Sequence, residues 1–204
     1  IIILLIYILV QYVMATSTEL TAKANLNDDI SAVAITNGPT NTSYSYGLWV
    51  YVNSWDMSKP KTIFNRSNNI KLYLDQNSPT LKCDILMSDD TMKTVEVTDN
   101  FPLQKWVHII ISVANQYVDC YIDGKLVRSG RAYLETDENI STPKQPPTVD
   151  TQMKLGGTSR FDAYVTKFKH WDEAISPEIA YSNYLQGNGE GVKNFLSNYG
   201  LDVL

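Results

Sequence analysis

Hydrolytic, nucleophilic or metal-dependent chemistry needs histidine, thiol or carboxylate side chains at spacings that let them meet, and this chain offers few. His108 and His170 are its only histidines. Each lies in an alternating apolar stretch beside a tryptophan, Trp106 or Trp171, the setting of a part-buried imidazole rather than of a general base. Cys83 and Cys120 both fall on the apolar phase of expected strands. They either pair across a core or stay reduced, and free thiols are favoured because strands that share a core need not be neighbours. Asn27, Asp28 and Asp29 cluster, but calcium takes about six to eight oxygen ligands, and this trio sits in a stretch that reads as linker. There is no phosphate loop, zinc-ligand spacing, GxSxG elbow or GxGxxG fingerprint. The expectation is therefore no catalytic residue, no cofactor and no metal. Tyr44, Tyr46, Trp55 and Tyr164 read as exposed aromatics that can stack on sugar rings, although core and rim packing is the default role of aromatics in a strand-rich chain with 13 Tyr.

The elements that would position such residues are mostly strands. Residues 106–130, WVHIIISVANQYVDCYIDGKLVRSG, alternate apolar and polar side chains, as half-buried strands do. Asp123-Gly124 suits a two-residue type I′ turn, so a β-hairpin is expected there. Further strands are read at Tyr46 to Val52, Thr62 to Phe64, Ile70 to Leu74, Leu81 to Met87, Met92 to Val97 and Lys154 to Gly156. Turn-forming stretches such as DQNSP and TDNFP separate them. Ser176 as cap, Pro177 in the first turn and Glu178 at the positive end of the dipole predict one short helix over SPEIAYSNYLQ, ending near Gly187. Ala132 to Thr151, with Pro143, Pro146 and Pro147, reads as a long loop. The expected core runs through Trp49, Ile85, Ile109, Cys120 and Ile122.

With 204 residues, 44% hydrophobic and 19% charged, the chain has material for one ordinary core. A net charge of -5 with scattered basic residues excludes a nucleic-acid surface. The first fifteen residues, IIILLIYILVQYVMA, are uncharged and read as a membrane anchor, with a signal-peptide remnant and a core helix as alternatives. As a helix they would reach roughly 22 Å, short of a hydrocarbon core of roughly 30 Å, and the chain starts with Ile, so the span is expected to be truncated. Residues 16–29 are expected to be a linker, 30–186 a sandwich and 187–204 a tail. Sequons stand at Asn41, Asn65 and Asn139.

The ordered set SYSYGLWVYV, TIFNRSNNIKLYLD, PLQKWVHIIISVANQYVDCYIDGKLV, MKLGG and FDAYVTKFKHWDEAISPEIAYSNY resembles the concanavalin A-like, laminin G-like jelly roll over roughly residues 30 to 186. The resemblance implies an all-β fold of two packed antiparallel sheets. Relatives that cleave β-glucans use a Glu-x-Asp-x-x-Glu strand to hold two carboxylates about 5 Å apart. Here Glu135-Thr136-Asp137 begins that pattern but Ile140 ends it, so the stretch reads as a solvated acidic patch. An apolar helix joined to such a sandwich also resembles minor capsid proteins of large DNA viruses. That implies a non-enzymatic structural protein touching membrane lipid through residues 1–15 and other capsid proteins through the sandwich, located in the virion. The alternative is a membrane-anchored lectin that binds glycans at a cell surface or in a lumen.

Overall fold

The computed structural model describes residues 2–5, 17–35, 41–135, 140–147 and 151–189. The strands among them are, in chain order, β1 (Ser17–Asn25), β2 (Val33–Ala34), β3 (Ser43–Val52), β4 (Lys61–Arg66), β5 (Ile70–Leu74), β6 (Leu81–Leu86), β7 (Met92–Thr98), β8 (Trp106–Ala114), β9 (Tyr117–Ile122), β10 (Lys125–Arg131), β11 (Leu134–Glu135), β12 (Ile140–Ser141), β13 (Gln152–Leu155) and β14 (Ala163–Trp171). One helix, α1 (Pro177–Leu185), follows. Two six-stranded antiparallel sheets form, in the orders β1-β14-β3-β8-β9-β10 and β2-β13-β4-β5-β6-β7. The all-β sandwich expected from the alternation is present. Its core interleaves Tyr44, Tyr46, Leu48, Val50, Ile109, Ile111 and Cys120 from the first sheet with Phe64, Leu72, Cys83 and Ile85 from the second.

The hairpin forms as its sequence requires. Asp123 and Gly124 both take positive φ, 48° and 74°, and Lys125 pairs with Ile122. The Asp123 carboxylate accepts from the backbone N–H of His108 (2.9 Å), tying the turn to β8. Ser176 caps α1, its hydroxyl accepting from Ile179 N–H, and Gly187 at φ +65° stands just beyond the helix. Among its described residues the loop from Ala132 to Thr151 carries the two-residue ladder of β11 and β12 and an isolated antiparallel bridge between Pro143 and Met87.

Three expectations are corrected. Residues 17–25 are no linker: they are the edge strand β1, paired from Ser17↔Trp171 to Asn25↔Tyr164. Only one face of an edge strand meets the core, here through Leu20 and Ala24, so its apolar signal is thin and its partner lies at the far end of the chain. The sandwich therefore begins near residue 17. Trp49 is not in the inter-sheet core; it faces outward beneath α1, where its ring meets His108 and Tyr184 at 5.0 and 5.6 Å. Tyr44 and Tyr46 are not exposed but fully buried. Of the segment expected to be a membrane anchor, only residues 2–5 are described, and they are helical; the remainder lies outside the described residues. Among those described, no helix is long and apolar enough to cross a membrane.

Gly124→Val is expected to lower stability by about 1–3 kcal/mol, because a β-branched side chain is strained at positive φ. Its Cβ would also stand 3.0 Å from Tyr181 Cδ2 and from Tyr184 Cβ in α1. Urea denaturation checks this, and an unchanged midpoint would refute the coupling of turn and helix.

Candidate functional site

The sheet β1-β14-β3-β8-β9-β10 has an inner face in the core and an outer face, and strand parity decides which side chains reach each. Along β3, Tyr44, Tyr46, Leu48 and Val50 point inward, so Ser45, Gly47, Trp49 and Tyr51 point outward. α1 covers one half of this outer face. Ile110, Tyr121, Trp171, Ile175 and Ala180 form a second, smaller apolar cluster beneath it. At Gly47 an added Cβ would stand 2.9 Å from Trp171 Cζ3, so only glycine admits that ring.

The other half is not covered by α1. Register places Tyr164, Tyr51 and Trp106 side by side on β14, β3 and β8. Ring centroids are 6.5 Å apart for Tyr51–Tyr164 and 5.6 Å for Tyr51–Trp106, both interplanar angles being 53°. All three are half-buried and, with Lys23 of β1, line a cleft of about 290 Å³. One rung further along the same strands, outside the cleft's own lining, lies a hydrogen-bonded polar group. Asn53 Nδ2 donates to Asp162 Oδ2 (2.6 Å), Ser54 Oγ donates to the same oxygen (3.0 Å), and Gln104 Nε2 donates to the Asn53 carbonyl (3.4 Å). An aromatic floor beside fixed amides and a carboxylate suits a flat, partly apolar ligand that carries hydroxyls, since the rings take its C–H face and the polar rim orients it.

Of the aromatics singled out by sequence, Tyr164 belongs to this cleft. Trp55 does not: Lys61 Nζ lies 4.1 Å from its ring centroid. Asp162 lies one rung beyond the cleft, its carboxylate held by Asn53 and Ser54. Sequence reasoning missed Tyr51 and Trp106, because alternation shows that each shares a face with its own strand but not that the two strands are neighbours in this register.

The remaining candidates are scattered. Glu135 lies on β11 with the Tyr133 hydroxyl donating to Oε2 (3.2 Å), while Asp137 lies outside the described residues. Asp29 pairs with Arg160 at 3.9 Å, and Asn27 is held by the Asn25 side chain. No group of three or more His, Cys, Asp or Glu residues that would hold a metal occurs among the described residues. Cys83 and Cys120 are free, fully buried thiols, and burial pushes both upward, Cys120 to about 12. Asn41 is exposed, Asn65 is half-buried on β4, and Asn139 lies outside the described residues.

Both histidines are structural in setting. His108 packs against Trp49 and beside Tyr184, and burial, aided by the positive charges of Lys169 and Lys167, lowers its pKa to about 3. His170 stacks on Tyr46 at 4.9 Å, and burial, aided by Arg66, lowers it to about 4. Its Nδ1 lies 3.4 Å from Asp172 Oδ1. A neutral imidazole makes that a contact without full ionic attraction.

Beyond geometry, the sequence profile described as the Concanavalin A-like lectin/glucanases superfamily matches residues 26–179. The chain belongs to this superfamily. Nothing among curated proteins matches it. Solved structures similar to this superfamily member include the receptor binding domain of botulinum neurotoxin D (TM-score 0.61, 16% identity, 83% of this chain and 45% of that one). The ligand binding domain of botulinum neurotoxin serotype D in complex with N-acetylneuraminic acid aligns at TM-score 0.60 and 16% identity, over 83% of this chain and 43% of that one. The binding domain of Paraclostridial Mosquitocidal Protein 1 aligns at 0.59 and 13%, over 83% and 45%. This chain thus spans less than half the length of those three structures, and at such identities the likeness is one of fold.

A linkage effect follows from the histidines. Their folded-state values lie below the ordinary 6.5, so the unfolded chain binds more protons as pH falls below about 6.5. The stability they contribute is full above that pH and is lost as pH falls toward 4 and then 3. Between pH 6 and 4 each is expected to cost about 1 kcal/mol per pH unit. Urea midpoints across that range check it, and His108→Gln is expected to flatten the slope by about one proton.

Proposed function

We propose that this superfamily member is a non-catalytic, lectin-like module that binds a glycan on the Tyr51–Trp106–Tyr164 floor. The observation that carries this reading is the three-strand aromatic rung, with the Asn53–Asp162–Gln104 group one rung away along the same strands. It matches what a pyranose offers, an apolar C–H face with hydroxyls at the edge. That a fold relative was solved with N-acetylneuraminic acid is in keeping with the same ligand class. Saturation-transfer NMR with 3′-sialyllactose, and with lactose as the neutral control, tests it. Trp106→Ala is expected to weaken binding of sialyllactose by about tenfold, the loss of about 1.4 kcal/mol of stacking, with no reducing ends released from either sugar. Equal binding by Trp106→Ala, or no binding by the native protein, would refute the glycan site.

A second reading concerns where the module works. Ile2, Ile3, Leu4 and Leu5 are helical and 74%, 84%, 61% and 59% exposed, an unusual fate for four consecutive large apolar residues. This supports residues 1–15 as a membrane anchor, with lipid as partner. The sequence resemblance to minor capsid proteins then gives a setting in which the sandwich ties an internal virion membrane to capsid proteins. Alkaline carbonate extraction of membranes carrying the full chain is expected to leave it in the pellet. Leu5→Asp with Ile8→Asp is expected to release it, each charge costing roughly 3 kcal/mol at a helix centre. Recovery of the native chain in the supernatant would remove the anchor.

A further inference from the structure

Two thiols take no part in the cleft, and the strand registers place them opposite each other. In the first sheet Tyr46 on β3 pairs with Ile111 on β8, which pairs with Cys120 on β9. In the second, Phe64 on β4 pairs with Leu72 on β5, which pairs with Cys83 on β6. The two rows start together, since the rings of Tyr46 and Phe64 meet across the core with centroids 5.5 Å apart. They also run the same way, because β9 and β6 are each second from the edge of their sheet and the edge strands β10 and β7 are in contact. Each cysteine therefore stands two strand spacings, about 10 Å, from its end of the Tyr46–Phe64 contact. Both side chains are fully buried in one core cluster.

That burial governs when they can react. It pushes both thiols upward, and at Cys83 the charge that Cys120 would carry adds to the effect, as it does only for sulfurs that lie near each other. With Cys120 raised to about 12, its thiolate at pH 8 amounts to about one part in ten thousand. The folded core thus withholds the thiolate and shuts out an oxidant. In the unfolded chain both thiols return to the ordinary value near about 8.5 and meet solvent. Sheets of a sandwich stand about 10 Å apart, whereas a disulfide draws its Cα atoms to about 5.5–6 Å, so bond formation asks β9 and β6 to approach. That approach is least opposed before the side chains between the sheets have locked. The sequence holds two cysteines, so a bond within the molecule has one possible pairing.

We propose that Cys83 and Cys120 close into an inter-sheet disulfide when the chain folds in the presence of a small disulfide oxidant, and that the closed sandwich then preserves whichever redox state it folded in. The step is a double exchange. The thiolate of one cysteine attacks a sulfur of glutathione disulfide and expels one glutathione thiolate; the thiolate of the other attacks the protein sulfur of that mixed disulfide and expels the second. Two protein thiols are oxidised, one glutathione disulfide is reduced, and the two thiol protons end on the two glutathiones. The bond ties β6 to β9, two strands over from the Arg66–Tyr46 hydrogen bond that ties β4 to β3.

The test unfolds the full chain in guanidinium chloride with reductant and refolds it into detergent micelles at pH 8, with either mixed reduced and oxidised glutathione or reductant alone. Remaining thiols are alkylated under denaturing conditions before digestion. Trypsin cuts after Lys82, Lys93, Lys105 and Lys125, so the bond joins the peptides 83–93 and 106–125. The oxidative refold is expected to yield that linked pair within one molecule and a higher urea midpoint than the reduced form, because the cross-link constrains the unfolded chain. Two alkylated thiols, glutathione left on either cysteine, a bond between molecules or an unraised midpoint would overturn the pair. Chain first folded reduced and then given the same glutathione mixture is expected to form the bond more than tenfold more slowly; equal rates would overturn the preserved state. Cys120→Val, refolded both ways, is expected to show one midpoint, and a rise in the glutathione mixture would deny the gain to the bond.

Discussion

A buried guanidinium fixes the arrangement of this sandwich. Arg66, at the end of β4, is 1% exposed. Burying a cation costs several kcal/mol unless its donors are met. They are met from three directions: Nη1 donates to Tyr46 Oη in the opposite sheet (2.8 Å), Nε and Nη2 to Thr151 Oγ1 (3.0 and 2.8 Å), and Nη2 to the Pro147 carbonyl (3.1 Å). Tyr46 Oη in turn donates to Asn69 Oδ1 (3.3 Å). The bond to Tyr46 joins the two sheets, and the bonds to Thr151 and Pro147 seat the long loop. Because Tyr46 must face inward to make its bond, every second residue of β3 is committed as well. A one-residue slip would carry Tyr46 to the outer face and strand the cation. The outward position of Tyr51, and through pairing those of Trp106 and Tyr164, follows from that parity.

The outer face is then divided by what covers it. Under α1 the aromatic and apolar side chains make a second small core. Gly47 admits Trp171, and His108 is held neutral against the Trp49–Tyr184 pair with its Nδ1 unpaired among the described residues. Beyond Trp49 the same sheet presents similar side chains without α1 above them. The floor of the cleft is therefore built of the same material as the covered half, which is why its rings are rigidly placed by neighbours on both sides rather than held in a loop.

Much of this was legible in the sequence, wherever the decisive interaction is local. The Asp123-Gly124 turn, the strands Ile70–Leu74 and Leu81–Leu86, and the Ser176-capped helix each declare themselves through neighbours a few residues apart. β1 was not, because an edge strand buries one face and its partner is β14. Trp49 was placed in the wrong core, since alternation separates two faces without saying which is covered by a sheet and which by a helix. Tyr44 and Tyr46 read as exposed because a phenol needs a polar partner; for Tyr46 the hidden partner was Arg66. In the site, Tyr164 was visible as an aromatic, but its company with Tyr51 and Trp106 depends on pairings between strands remote in sequence.

The pairing of β1 with β14 also bears on how the protein is made. Among the described residues β1 finds its ladder partner in β14, with every residue between Asn25 and Ala163 to be synthesised before the two can meet. At about 5–20 residues per second that is a delay on the order of ten seconds. Meanwhile the β8-β9-β10 meander, closed by two tight turns, can form as soon as it emerges. Sheet closure therefore runs from the middle outward, and through that interval the backbone of β1 is an open edge that other extended chains can occupy, a window in which the nascent chain is exposed to mispairing.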